Sequence, residues 1–83
     1  MAAWEVEYKG HVIRVENHLL GGERLYIDGA ACERGHHVLR AELRGRIPGG
    51  DGAGEEVVAL LSTGGAAVNC LVTVDGKRLF EAT

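Results

Sequence analysis

The sequence contains few of the residues that mark specialised classes of protein. Its 83 residues include one proline, one tryptophan and two cysteines. Two cysteines are too few for the disulfide framework that stabilises many small secreted domains, so reduced thiols are expected. No apolar run approaches the roughly 18 residues of a membrane span, and the N-terminus lacks the basic start and apolar core of a signal peptide. A cytoplasmic protein without a membrane segment is therefore predicted.

A large excess of positive charge is absent as well. The formal net charge is −3 and charged residues make up 25% of the chain, which argues against broad attraction to nucleic acid or to anionic lipid. The hydrophobic fraction of 46% is typical of a globular chain rather than a disordered one. The length predicts a single domain over residues 1–83, near the small end of domains that fold unaided.

Glycine, in contrast, is abundant, with 13 residues placed between short stretches of alternating apolar and polar side chains. Trp4, Val6 and Tyr8 alternate with glutamates as a half-buried strand requires, and Trp4 is predicted to anchor the core. Asp28-Gly29 and Asp75-Gly76 follow apolar runs, and Asp-Gly at such a place predicts a tight hairpin turn.

The regular spacing of these stretches predicts an all-β fold. We expect an antiparallel meander of about eight short strands that forms a small β-sandwich or flattened barrel, with no helix. Residues 36–47 are predicted as a strand because Leu39, Ala41 and Leu43 alternate with other side chains, although the same run contains good helix formers. Residues 48–54 hold the only proline and are predicted to form the longest and most flexible loop.

Histidine and cysteine suggest a zinc site, but their spacing is poor. No Cys-x-x-Cys occurs, and adjacent His36 and His37 on a strand would point to opposite faces. No metal, other cofactor or catalytic residue is therefore predicted. The alternative is a small-ligand or metal-binding protein that uses a histidine cluster at one end of the fold. The side chains available to it are His11, His18, His36, His37 and Cys32.

Other candidates for chemistry have structural explanations. Cys70 is in phase with Val72, so it is predicted to be a small core residue. Cys32 is either half-exposed or paired with Cys70, and nothing near it in sequence would lower its pKa as a nucleophile needs. Asp28 and Asp75 suggest a carboxylate pair for acid–base catalysis, but both precede glycine in predicted turns.

A row of arginines is the clearest candidate for an interaction surface. On a strand, Arg40 and Arg44 share one face with Glu42 between them, and Arg46 extends the row, which would suit an acidic partner or nucleic acid. Tyr26 is a further candidate, because an exposed aromatic side chain suits an interface. The competing interpretation is that the arginines pair across strands with glutamates. The glutamates in question are Glu5, Glu7, Glu16 and Glu55.

Several hairpin motifs of the chain occur in the order found in one known family. They are Trp4-Glu5-Val6, Gly10-His11-Val12-Ile13-Arg14-Val15-Glu16, Gly22-Glu23-Arg24-Leu25-Tyr26-Ile27-Asp28-Gly29, Leu43-Arg44-Gly45 and Thr73-Val74-Asp75-Gly76-Lys77-Arg78-Leu79. On these residues the chain resembles the Fas apoptotic inhibitory molecule family over nearly its whole length. The resemblance implies an all-β, non-enzymatic protein that acts through protein contacts. The chain departs from the family in its single domain and its 48–54 loop, so no role in death-receptor signalling is carried over.

Together these features predict a non-enzymatic protein-interaction module. Its partner is expected to be a protein rather than nucleic acid or a membrane. A homodimer formed through an edge strand or a sheet face is a further expectation.

Overall fold

The computed structural model describes residues 1–18, 21–35, 40–64 and 67–82, which form eight antiparallel strands. The all-β prediction is confirmed, and no helix occurs in these ranges. The strands are β1 (Ala2–Tyr8), β2 (His11–His18), β3 (Gly22–Ile27), β4 (Ala30–Gly35), β5 (Arg40–Arg46), β6 (Glu56–Gly64), β7 (Ala67–Val74) and β8 (Lys77–Ala82).

The strands form two four-stranded sheets, each of them a simple meander. The first sheet has the order β1-β2-β3-β4 and the second has the order β5-β6-β7-β8. Of the two predicted closures the sandwich is the one found, because among the described strands none is hydrogen-bonded into both sheets. The strand order leaves β1, β4, β5 and β8 at sheet edges.

Three hairpins are closed by two-residue turns of the same geometry. Both central residues of each turn have positive φ, which matches the twist of the flanking strands. Glycine takes the second position each time, because it adopts positive φ at little steric cost. The φ values are 49° and 81° at Lys9-Gly10, 53° and 80° at Asp28-Gly29, and 49° and 81° at Asp75-Gly76.

Asp28 and Asp75 each form hydrogen bonds that join their hairpin to the preceding strand of the same sheet. The amide of Val12 donates to Asp28 Oδ1 at 2.9 Å, and the amide of Asp28 donates to the Val12 carbonyl at 2.8 Å. Asp75 repeats the arrangement with Glu56, at 2.8 Å for both bonds. Each Asp-Gly turn is therefore bonded to the start of the strand beside its own hairpin, which is a structural role for both aspartates.

The hydrophobic core lies between the sheets. Its members include Cys70, which is 0% exposed, so the prediction that this cysteine is a core residue is confirmed. Trp4 is partly buried and packs against this core from the edge strand β1. Its role as an anchor stays a prediction, for which Trp4→Ala should lower the free energy of unfolding by about 3–5 kcal/mol. The buried apolar residues are Ile13, Val15, Leu25, Ile27, Ala41, Leu43, Ile47, Val57, Ala59, Leu61, Cys70, Val72 and Val74.

Strand β5 of the second sheet contacts β3 and β4 of the first sheet. A Cβ atom at Gly45 would lie 2.9 Å from both Cβ and Sγ of Cys32 and 3.2 Å from Cδ1 of Ile27, so only glycine fits there without a shift. Beside this contact, the backbone amide of Arg44 donates to Glu33 Oε1 at 3.0 Å. The side chain of Glu33 thereby accepts a hydrogen bond from a backbone amide on the edge strand β5.

Residues 47–55 connect β5 to β6 as a hydrogen-bonded loop. The amide of Ile47 donates to the Glu55 carbonyl at 3.0 Å, and the amide of Gly54 donates to the Ile47 carbonyl at 2.9 Å. Arg46 Nη1 donates to the Gly54 carbonyl at 2.8 Å. These bonds close the loop that the sequence predicted to be the most flexible part of the chain.

The strand prediction for residues 36–47 holds where it can be compared. Residues 36–39 lie outside the described residues. Residues 40–46 are strand β5, and Ile47 begins the loop that follows. Ala41 and Leu43 are buried as the alternation predicted. The competing helix over the described part of this run is therefore wrong.

Candidate functional site

The four residues predicted as an interaction surface lie on opposite faces of the sandwich. Arg40, Arg44 and Arg46 alternate with buried residues on β5 and point outward from the second sheet. Tyr26 lies between buried Leu25 and Ile27 on β3 and points outward from the first sheet. The structure therefore places the arginine row and Tyr26 in two separate surfaces.

The arginine row is largely neutralised by acidic neighbours. Arg44 pairs with Glu42 on its own strand and with Glu56 Oε1 at 3.3 Å on β6, and the Glu42 carboxylate is the main cause of a raised Arg44 pKa. Arg46 Nη2 lies 3.9 Å from Glu56 Oε2. The competing interpretation, pairing with glutamates, thus describes these two arginines. Glu42 is the residue that the sequence already placed between Arg40 and Arg44, whereas the cross-strand partner is Glu56 rather than Glu5, Glu7, Glu16 or Glu55. Arg40 is exposed and has no ion pair among the described residues.

Two surface depressions meet at Tyr26 on the outward face of the first sheet. The depression toward β4 has a volume of about 360 Å³. The depression toward β1 has a volume of about 700 Å³. Tyr26 lines both. The smaller one is otherwise lined by Arg24, Ala31, Cys32, Glu33 and Arg34. The larger one is otherwise lined by Glu5, Val12, Arg14, Glu16, Asp28 and Gly29.

The charges on the β1 side of Tyr26 are paired with one another. Arg14 Nε donates to Glu16 Oε2 at 2.7 Å, and Arg14 Nη1 lies 3.4 Å from Glu5 Oε2. The other oxygen of Glu16 lies 2.7 Å from His18 Nε2. The Arg14 guanidinium and then His18 hold the pKa of Glu16 below its usual value. The charged side chains that line the larger depression are thus engaged in ion pairs, although three of them are carboxylates and only Arg14 is a cation.

The two arginines on the β4 side are not paired with carboxylates in this way. Arg24 and Arg34 are cross-strand partners, and neither has an ion pair among the described residues. The Nε atom of Arg24 is buried and has no hydrogen-bond partner in the described part of the chain. The smaller depression is therefore lined by two arginines that form no ion pair among the described residues.

Sequence reasoning missed this pair because it depends on strand register. The alternation of β3 does place Arg24 on the same side as Tyr26, which was visible in the sequence. The position of Arg34 opposite Arg24 depends on a register shift between Leu25 and Tyr26, where Cys32 has no partner in the β3–β4 register. No residue pattern in the sequence gives the position of that bulge.

A second polar cluster joins the loop of residues 47–55 to the first sheet. The Nδ1 atom of His11 lies 2.6 Å from Asp28 Oδ2 and its Nε2 atom lies 3.0 Å from the Asp51 carbonyl oxygen. Both partners are acceptors, and only the doubly protonated imidazolium donates from both nitrogens. The Asp28 carboxylate accordingly raises the pKa of His11, and the His11 ring lowers the pKa of Asp28.

Glu55 makes a parallel connection beside this cluster. The Tyr8 hydroxyl donates to Glu55 Oε1 at 2.7 Å, and Lys9 Nζ lies 3.0 Å from Glu55 Oε2. The hydrogen bond from Tyr8, followed by that from Lys9, lowers the pKa of Glu55. The loop is thus attached to the β1–β2 hairpin by one ion pair, Lys9–Glu55, and by hydrogen bonds from Tyr8 and His11.

The histidines of the predicted alternative do not converge where they are described. His11 and His18 stand at the two ends of β2, and His36 and His37 lie outside the described residues. The seven residue steps between His11 and His18 span roughly 23 Å at strand rise, too far to share one ion. In the described ranges no three His, Cys, Asp or Glu side chains form a group that could hold a metal ion.

Both cysteines are free thiols. Cys32 is exposed and Cys70 is buried, so they do not form the disulfide that the sequence left open. Burial raises the pKa of Cys70 to about 11, and partial burial also raises the pKa of Cys32. Raised pKa values lower the thiolate fraction at neutral pH, which is unfavourable for a nucleophile.

Comparisons with known proteins found no matching family model, no matching curated protein and no matching solved structure. In the described residues, no helix is long and apolar enough to cross a membrane.

Proposed function

We propose that this protein is a non-enzymatic protein-binding module that contacts its partner through the outward face of the first sheet around Tyr26. The observation that carries the proposal is the position of Tyr26 at the junction of the two depressions, where its ring is available to both. Tyrosine is enriched at the energetic centres of interfaces, because it contributes large apolar area and a polar tip at low entropic cost.

The surroundings of Tyr26 support a binding surface rather than an ordinary solvated face. Val12, which is 37% exposed, adds apolar area on the same face. Charged side chains of β1, β2 and β4 surround these two residues, and interfaces commonly combine an apolar centre with a polar rim. A net charge of −3 favours a protein partner over nucleic acid.

The arginine row of the second sheet is the weaker candidate surface. Arg44 and Arg46 already have acidic partners, so binding another acidic group would require exchange of existing ion pairs. The relationship to the Fas apoptotic inhibitory molecule family, the cytoplasmic location and an edge-strand homodimer stay predictions from the sequence. The histidine-based alternative now depends on His36 and His37.

Affinity capture from a lysate of the source cells tests the proposal. The wild-type protein, Tyr26→Ala and the double variant Arg40→Ala/Arg44→Ala would be used in parallel. We expect a partner that Tyr26→Ala fails to retain and the double variant retains. With the purified partner, Tyr26→Ala should weaken binding about 30-fold in calorimetry, the effect of losing an interface hot spot.

The opposite pattern would contradict the proposal. Retention by Tyr26→Ala and loss by Arg40→Ala/Arg44→Ala would assign the contact to the second sheet. All these residues point outward, so each variant should keep the thermal midpoint of the wild-type protein. That measurement separates loss of binding from loss of fold.

A further inference from the structure

We infer that the smaller depression is a subsite for an oxyanion, a carboxylate or phosphate group, carried by the polypeptide partner and bound between Arg24 and Arg34. The inference rests on the proposed function and specifies the chemistry of its partner. The site includes Tyr26 as an aromatic wall and Ala31 as a small neighbour.

The first step is the placement of two positive charges side by side. Arg24 and Arg34 are directly opposed across β3 and β4, and both lie on the outward face. Like charges in directly opposed positions of an antiparallel pair destabilise it. A bound anion between the guanidinium groups would replace this repulsion with attraction.

The second step is the absence of a compensating carboxylate among the described residues. Glu16 is the cross-strand neighbour of Arg24 on β2, but its two oxygens are taken by Arg14 and His18 at 2.7 Å each. The carboxylate of Glu33, which lines the depression, accepts the backbone amide of Arg44 instead. Glu16 and Glu33 are therefore both bonded to donors other than Arg24 and Arg34.

The third step is the unsatisfied donor on Arg24. Its Nε atom is buried and has no hydrogen-bond partner among the described residues, although a guanidinium offers five N–H donors in a planar fork. A buried donor without a partner is costly, and a ligand that supplies an acceptor recovers the cost on binding. Carboxylate and phosphate oxygens have the geometry that this fork recognises.

The shape of the depression indicates how the anion is presented. Ala31 is the cross-strand partner of Tyr26, and its short side chain leaves space beside the tyrosine ring. The volume of about 360 Å³ lies at the surface of the sheet rather than inside the core. Such a depression suits a group projecting from a larger molecule, such as a glutamate, aspartate or phosphorylated side chain on an extended segment.

The test is a titration followed in amide-resolved NMR spectra. The probes are a short glutamate-rich peptide with acetylated and amidated ends, the same peptide with glutamine at every glutamate, and inorganic phosphate. Binding of the glutamate peptide should shift the amides of residues 24, 26 and 31–34. The glutamine peptide should shift none of them.

Three arginine variants localise the effect. Arg34→Gln and Arg24→Gln should each lower the affinity for the glutamate peptide by about tenfold or more, because each substitution removes a charge-assisted hydrogen bond. The matched control is Arg40→Gln, which removes the same charge from an exposed, unpaired arginine on the second sheet and should change the affinity less than about twofold. Because Arg24 is partly buried, thermal unfolding is used to check that Arg24→Gln is folded. If it is not, Arg34→Gln provides the test, since Arg34 is exposed.

Three results would overturn the inference. They are equal binding of the glutamine peptide, an equal loss of affinity in Arg40→Gln, and binding of neither the glutamate peptide nor inorganic phosphate at residues 24–34. Failure of the proposed function is separate. If Arg34→Gln still captures the partner at full affinity while Tyr26→Ala does not, the oxyanion subsite is wrong and the binding face stands.

Discussion

The β3–β4 and β7–β8 hairpins apply one local design in two different sheets. Each has an Asp-Gly turn with positive φ at both central positions. Each aspartate is bonded to the amide of the strand beside its hairpin. Each pair also contains a register shift just before its turn, between Leu25 and Tyr26 in one sheet and between Val72 and Thr73 in the other.

The surroundings of the two turns differ. The second oxygen of Asp28 faces His11 Nδ1 at 2.6 Å, whereas Asp75 forms no ion pair in the part of the chain that is described. The amide that donates to Asp75 belongs to Glu56. The side chain of the preceding residue, Glu55, interacts with Tyr8 and Lys9. Turn geometry is therefore set by the local sequence, while the chemistry attached to the turn depends on the residue that the neighbouring strand supplies.

The largest expected effect concerns the core that joins the two sheets. Leu25 of the first sheet and Leu43 of the second are 0% and 1% exposed and belong to one buried cluster. Leu25→Ala and Leu43→Ala should each lower the free energy of unfolding by about 2–5 kcal/mol, since both leave a cavity in a shared core. Chemical denaturation followed by two spectroscopic probes measures the loss.

Val12→Ala is the control for this pair, because Val12 points outward and should change stability by less than about 0.5 kcal/mol. A loss below about 1 kcal/mol for either leucine variant would mean that its sheet does not depend on the common core. Separate transitions for the two probes would lead to the same conclusion.

A smaller effect should be equal in the two hairpins. Gly29 and Gly76 have φ values of 80° and 81°, and a Cβ at either would meet no atom within 4 Å. Gly29→Ala and Gly76→Ala should therefore each cost about 1–2 kcal/mol from backbone conformation alone. Thermal unfolding of both variants gives the two values.

Gly49→Ala provides the matched control. A Cβ there also meets no atom within 4 Å, but Gly49 does not have positive φ. Its substitution should be neutral or slightly stabilising. A clear difference between the two turn variants would show that the surrounding sheet, and not the turn alone, determines the cost.

Much of this fold could be predicted because its signals are local. Asp28-Gly29 and Asp75-Gly76 specify turns through the φ preference of glycine, and strict alternation on β5 identified Ala41 and Leu43 as buried. The depth of burial could not be predicted for Trp4. Its alternation is as clean as that of the core strands, but its strand lies at a sheet edge, and edge position follows from the topology.

The candidate site was less accessible to sequence reasoning. Tyr26 was identified from its phase on β3, and the arginine row from its spacing on β5. That these lie on opposite faces depends on which strands form which sheet. The pairing of Arg24 with Arg34 depends further on the bulge at Cys32, and the ion pairs of Arg44 depend on register with β6.

The smallest expected effect is a difference between the Asp28 and Asp75 turns in how their contribution to stability depends on pH. The His11 pKa is raised chiefly by the Asp28 carboxylate. The contribution of this pair to stability is therefore full below the ordinary histidine pKa of about 6.5 and is lost as pH rises through the raised value in the folded protein. Asp28, whose pKa is lowered, gives a contribution present above about pH 3.9 and lost as pH falls through its folded value.

Asp28→Asn should lower the His11 pKa toward its ordinary value and reduce the loss of stability between neutral and alkaline pH. The control is Asp75→Asn, which should change neither. Asparagine keeps the side-chain oxygen that accepts the strand amide and tolerates positive φ, so the two variants differ chiefly in the histidine. NMR titration of the histidine ring protons, with His11→Gln to assign the resonance, gives the pKa.

If His11 titrates at its ordinary pKa in the wild-type protein, or if both asparagine variants shift it equally, the pairing with Asp28 does not control its charge. The other groups near His11 are Tyr8, its cross-strand partner, and the ion pair between Lys9 and Glu55. Lys9 stays positive and Glu55 stays negative through the pH range in which histidine titrates. A shift specific to Asp28→Asn would therefore come from the Asp28 carboxylate, the feature that separates the first hairpin from the second.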